Sequence, residues 1–224
     1  ETELPWVIAK WAQTLDGRTA TASGESQWLT GPRARRSVHQ LRARVDAIVT
    51  GIGTVRADDP SLTARGVPVR REALRVVIDP RLEMPTESTL VRDAEMGRGV
   101  LVLTGADAPD EAEDRLEKFG VRVGRVPGDG GRLDLREAMR LMADEHGVAT
   151  VMTECGARLL GGLLDSGLVD ELRAYVAPMV MGDADAMPAF AGHGVAGLGD
   201  VARWKLACSR RLGDDLELRY RRGP

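Results

Sequence analysis

The chain has 224 residues, and 31 Lys+Arg against 34 Asp+Glu leave a net charge of −3, which argues against a surface wrapped around nucleic acid. With 4 Trp, 2 Tyr and 2 Phe, it has too few aromatics for the stacking platforms that hold single strands. No apolar run approaches the ~20 residues of a bilayer-spanning helix, and ETELPWVIAK lacks a basic stretch followed by an apolar one, so a soluble, cytoplasmic chain is expected.

In chain order, WVIAKW (6–11), VDAIVTGI (45–52), LRVVID (74–79), GVLVLT (99–104) and VATVMT (148–153) are short, β-branched-rich apolar runs that end in turn residues. They predict strands buried on both faces. Helical patterns over 32–44, 110–119, 134–146 and 157–166 alternate with them, as in an α/β sheet of mostly parallel strands. Ala34, Val38, Leu41 and Val45 make one apolar stripe on the first of these helices, with Arg33, Arg35, Arg36, Arg42 and Arg44 around it. PGDGG (127–131) is a flexible turn. Beyond residue 168 the rhythm changes: DELRAYVAPMVMG, WKLACSRRLG and DDLELRYRR predict an antiparallel tail, with a hairpin at Gly213. At about one and a half times a typical ~150-residue domain, the expected architecture is one mixed-sheet domain over 1–224.

Cys155 and Cys208 belong to no CxxC or Cys/His cluster, and His39, His146 and His193 are isolated, so no metal site is expected. The zinc nucleobase-deaminase signature, HxE followed by PCxxC, is absent. The chain starts at Glu1 rather than Met, as a piece cut from a longer protein would.

Three loops that follow strands carry chemistry. In VATVMTECGARLLGGLLDSG an apolar strand runs into Gly156 and a helix containing Gly161 and Gly162. Such a junction cradles a phosphate with backbone N–H groups, or it is a tight turn whose glycines permit close packing. Glu154, at the end of that strand, can orient a polar ligand or move a proton, or be a solvated carboxylate at a helix start. In KWAQTLDGRTATASGESQW, Lys10 sits inside an apolar strand, where its ammonium needs a partner, a water-filled cleft or an edge to snorkel from. Trp28 can stack on a flat ring or anchor its loop to the core. In GIGTVRADDPSLTAR, read as an irregular segment, Thr54, Asp58 and Arg65 suit sugars and phosphates, while Asp58-Asp59-Pro60 is also ordinary turn chemistry.

Taken together, LDGRTATASGESQW, the block GPRARRSVHQLRARVDAIVTGIGTVRADDPSLTAR, VVID at 76–79 and ECGARLLGGLLDSGLVDELRAYVAP closely resemble the pyrimidine reductase domain of riboflavin biosynthesis, usually the C-terminal half of a bifunctional deaminase-reductase. The resemblance runs nearly end to end. It implies a dihydrofolate-reductase-like fold, NADPH as cofactor, a phosphoribosyl aminopyrimidine as substrate, a homodimer through the C-terminal strands, and a deaminase half that this chain lacks. Carried over residue by residue, Ala12, Trp28, Thr54, Asp58 and the stretch Gly156, Ala157, Arg158, Leu159, Leu160, Gly161 and Gly162 match cofactor-contacting positions. Ser26, Arg42, Leu62, Arg65 and Glu154 match substrate-contacting positions, and Lys10 and Glu154 are the candidate catalytic pair. Pro80 stands where family members often have Ser, which makes Arg81 a candidate partner for the cofactor 2′-phosphate. The implied reaction is reduction of the ribosyl group of 5-amino-6-(5-phosphoribosylamino)uracil. The alternatives are the same reduction of the 2,5-diaminopyrimidinone, or NADPH binding without turnover.

Overall fold

The computed structural model describes residues 4–223. The apolar runs become strands and the capped stretches between them helices. In chain order these are β1 (Trp6–Gln13), β2 (Arg18–Ala20), α1 (Pro32–Arg42), β3 (Ala47–Gly51), α2 (Ile52–Asp58), β4 (Leu74–Ile78), α3 (Thr89–Glu95), β5 (Val100–Gly105), α4 (Asp110–Glu117) and β6 (Arg122–Val126). There follow β7 (Gly128–Asp129), β8 (Arg132–Leu133), α5 (Leu135–His146), β9 (Thr150–Thr153), α6 (Ala157–Asp165), β10 (Glu171–Val176), β11 (Met187–Pro188), β12 (Trp204–Leu212) and β13 (Asp215–Arg222). Among the described residues no helix is long and apolar enough to cross a membrane.

The described residues divide into two compact units, one holding 4–6 and Gln40–Cys155, the other Val7–His39 and 156–223. In the first, five parallel strands lie in the order β9-β3-β4-β5-β6. Ile48, Val49, Val76, Val77, Val102 and Leu103 are fully sealed from water, which explains why these runs read as continuously apolar rather than alternating. The same strands bury three threonines, Thr50, Thr104 and Thr153, whose hydroxyls find no hydrogen-bond partner among the described residues. Helix α5 is fixed at both ends: Asp134 accepts from the N–H groups of Arg136 and Glu137, and Gly147, at φ 62°, closes the last turn.

The second unit pairs β10 with β1 in parallel and with β13 antiparallel, and β13 turns back at Gly213 (φ 80°) into β12. Part of its interior is ionic. The fully buried Glu217 accepts from Arg210 at 2.5 Å and Arg219 at 2.8 Å, with Arg173 3.9 Å away. Burial pushes this carboxyl up, but its arginines outweigh burial and hold it below the usual range. Asp16 ties two loops together, accepting from the Thr14 hydroxyl and from the backbone N–H groups of Met181 and Gly182; these bonds hold its carboxyl at about 2.

Several parts differ from the sequence expectation: helix α3 and strand β6 lie where no element is expected, and the turn at 127–131 carries the short strand β7. Ile52–Asp58 is a helix rather than an irregular segment, closed by Asp59 in the left-handed region at φ 39°. It buries only Val55, so no apolar stripe announces it. Of DELRAYVAPMVMG, only Glu171–Val176 is strand.

Candidate active site

Seven of the candidate residues, Arg81 among them, lie in the first unit. Glu154 directly follows β9, and its N–H continues the ladder by donating to the Val49 carbonyl at 2.9 Å, which fixes where its side chain starts. Arg42, the last residue of α1, meets it fork to fork: Nε donates to Oε1 at 2.5 Å and Nη2 to Oε2 at 2.9 Å. Both side chains are largely buried, at 13% and 12% exposure. Burial opposes the charge on Arg42, and Glu154 more than compensates, raising its pKa. The remaining terminal nitrogen, Nη1, donates to the Thr63 carbonyl at 2.9 Å, leaving one N–H on each terminal nitrogen without a partner among the described residues.

Leu62, buried and at φ 52°, turns the chain so that this carbonyl faces Arg42. Arg42, Leu62 and Thr63 line, with the buried Arg75, a cavity of about 20 Å³, room for a single water. Arg65, three residues beyond Leu62, is exposed.

The Asp58-Asp59 pair divides its labour. Asp59 accepts from Thr89 N–H at 2.6 Å and the Thr89 hydroxyl at 2.8 Å, so it holds the start of α3. Asp58, at the end of α2, has no hydrogen-bond partner among the described residues, and burial pushes its carboxyl up. Thr54 lies half-buried in the first turn of α2. An acceptor left unpaired beside a hydroxyl suits a ligand with donors of its own.

The second unit holds the others. Lys10 and Ala12 lie half-buried on β1, opposite Arg173 and Tyr175 of β10. Ser26 and Trp28 lie on the loop between β2 and α1; Ser26 is half-buried and Trp28 is 66% exposed, so Trp28 does not anchor its loop in a core.

The stretch from Gly156 to Gly162 splits into two functions. Gly156 precedes α6 without a side-chain cap, and a Cβ there would meet nothing within 4 Å. With Ala157 and Arg158 it presents, at the start of a 9-residue helix, N–H groups that find no acceptor among the described residues. Further along, Leu160 is buried, and a Cβ at Gly161 would stand 2.5 Å from Gly192 N and 2.6 Å from the Ala191 carbonyl carbon. Gly161 thus matches the close-packing reading, while Gly156 leaves open space at the start of the helix.

Among the described residues no cluster of His, Cys, Asp and Glu is suited to a metal. Sequence reasoning missed the Thr63 carbonyl and Arg35, whose guanidinium lies over the Trp28 ring. A main-chain acceptor leaves no mark in a sequence; Arg35 was legible only as one of several arginines around α1.

The mostly parallel strands with an antiparallel C-terminal hairpin define the dihydrofolate reductase fold. The enzyme of Enterococcus faecalis matches at TM-score 0.51 and 13% identity over 98% of this chain and 97% of its own, a likeness of fold alone. The family model of the RibD C-terminal domain matches residues 5–218, and the chain belongs to that family. The riboflavin biosynthesis protein RibD of Bacillus amyloliquefaciens is 33% identical over 217 residues, 97% of this chain and 57% of that protein. The chain thus spans little more than half of that relative. The 2,5-diamino-6-ribosylamino-4(3H)-pyrimidinone 5′-phosphate reductase of Methanothermobacter thermautotrophicus is 36% identical over 96% of this chain and 97% of its own length. The solved structure of Acinetobacter baumannii RibD, form 1, matches with TM-score 0.85 and 31% identity over all of this chain and 59% of that one.

Proposed function

We propose that the chain is an NADPH-dependent reductase that converts the ribosyl group of 5-amino-6-(5-phosphoribosylamino)uracil to its ribitylamino product in riboflavin biosynthesis. The observation that carries this reading is the buried Arg42–Glu154 fork. It holds a guanidinium and a carboxylate side by side in a fixed geometry, the two groups that recognise phosphate oxygens and sugar hydroxyls. Family membership supplies the reaction class.

The residues present also fit a nicotinamide dinucleotide. The open backbone at Gly156 accepts close approach of a diphosphate, and the unpaired Asp58 carboxylate with the Thr54 hydroxyl suits ribose or amide donors. When bound, the cofactor supplies the hydride. The chain's own residues bind and orient: Arg42 and Arg65 neutralise phosphate, Ser26 adds a hydroxyl donor, and Glu154 holds the sugar hydroxyls. Lys10 holds a further hydroxyl, and one of the pair Lys10 and Glu154 delivers a proton to the ring-bound nitrogen. No covalent nucleophile is required, because positioning and electrostatics suffice once the hydride donor is in place.

A second reading, reduction of the 2,5-diaminopyrimidinone, is favoured by the near full-length match to the Methanothermobacter enzyme. Loss of NADPH absorbance with each pyrimidine as separate substrate decides between them. Turnover of the uracil supports the first reading and preference for the diamino compound the second. NADPH binding with turnover of neither refutes both and leaves a binding domain. On the same reading the protein works in the cytoplasm as a homodimer through its C-terminal strands, which gel filtration of the chain tests.

A further inference from the structure

Indole rings left in water are costly, and a loop usually buries them. Trp28 is 66% exposed, and it is not left alone. The guanidinium carbon of Arg35, from the first turn of α1, lies 4.8 Å from its ring centroid, within cation–π range.

Arg35 is itself fixed. Its Nη1 donates to the Thr30 carbonyl at 2.5 Å and its backbone N–H to the Gly31 carbonyl at 3.1 Å. The N–H of Gly31 donates to the buried Asp215 of β13 at 2.8 Å. A continuous set of bonds thus runs from β13 through the start of α1 to one face of the indole, and leaves most of the ring open.

We propose that Arg35 is a positioning residue for the cofactor. It clamps one face of Trp28 so that the rest of the indole stands ready for the flat ring of a nicotinamide dinucleotide. This rests on the reading of Trp28 as a cofactor contact. An unclamped exposed indole samples several rotamers, and binding would have to select one; Arg35 removes that cost beforehand.

The test is a double-mutant cycle read by calorimetric NADPH binding, with R35M, W28A and the pair, and R35K as the conservative variant. Melting curves establish that each is folded. R35M is expected to weaken NADPH binding about threefold to tenfold, R35K by clearly less, and R35M to add nothing in the W28A background. A merely structural Arg35 would cost the same whether or not the indole is present. Wild-type affinity in R35M, equal losses in R35K and R35M, or a loss that persists in W28A overturns the clamp. Wild-type affinity in W28A overturns instead the reading of Trp28 on which it stands.

Discussion

Arg42 and Glu154, 112 positions apart in the chain, close on each other through two parallel hydrogen bonds of 2.5 and 2.9 Å. Such a pair is more expensive to break than to lack, because either partner left alone is a largely buried charge. Arg42→Met is expected to cost about 3 kcal/mol in urea unfolding. Glu154→Gln keeps one acceptor for Arg42 but leaves its buried charge unneutralised, so its stability loss is also about 3 kcal/mol, while turnover falls about a hundredfold with NADPH affinity retained. Wild-type turnover and substrate affinity in Glu154→Gln would remove Glu154 from the substrate site.

The two glycines at the start and middle of α6 separate binding from packing. Gly156→Ala meets no atom within 4 Å, so stability should stay within about 0.5 kcal/mol while NADPH binding weakens. Gly161→Ala would ordinarily strengthen a helix by about 1 kcal/mol, yet here the new methyl strikes the Ala191–Gly192 backbone. The net expectation is a loss of about 1–3 kcal/mol. Equal NADPH affinity in Gly156→Ala and wild type would show that this backbone does not face the diphosphate.

Acid should act on the two units with opposite sign. The Glu217 carboxyl is held below its ordinary 4.5, so its contribution is complete above pH 4.5 and disappears as pH falls through the lower folded value. Glu217→Gln is expected to cost about 3 kcal/mol at neutral pH and to flatten the acid limb of stability against pH. Asp79, just after β4, is buried, and among the described residues neither oxygen accepts a hydrogen bond of normal geometry. Burial raises it above 3.8, although the amides of Glu83 and Met84 pull the other way. The fold is therefore penalised as pH rises through that raised value. Asp79→Asn is expected to stabilise at neutral pH and to lose that advantage below pH 3.8; destabilisation at pH 7 would show that the carboxylate is satisfied as an anion.

Cofactor choice should rest on Arg81. Its exposed guanidinium has no carboxylate partner among the described residues, and a Cβ at Gly131 would stand 3.6 Å from its Nη2. Arg81→Ala should raise the KM for NADPH about tenfold or more and leave that for NADH unchanged. An unchanged ratio of the two KM values would rule Arg81 out as the reader of the 2′-phosphate.

Strands buried on both faces are plain in a sequence, and β1, β3, β4, β5 and β9 fall within a few residues of the apolar runs. What packs little is hard to read. Helix α2 buries only Val55, and β6 is broken by Arg122, Gly124 and Arg125. In the site, Glu154 was legible as a carboxylate at a strand end. Its pairing with Arg42 was not, since no spacing rule links residues so far apart. Nor did the sequence divide Asp58 from Asp59, because which carboxylate caps a helix depends on a backbone turn at φ 39°.

The hydroxyls of Thr50, Thr104 and Thr153, sealed among the parallel strands with no partner among the described residues, bear on heat tolerance. Valine has nearly the same shape and no oxygen to strand, so each Thr→Val exchange should add about 1 kcal/mol. The chain thus operates beneath the ceiling its own sheet permits, as a fold does when selection asks only that it stay above a threshold. Thermal hardening has room to begin at these three positions.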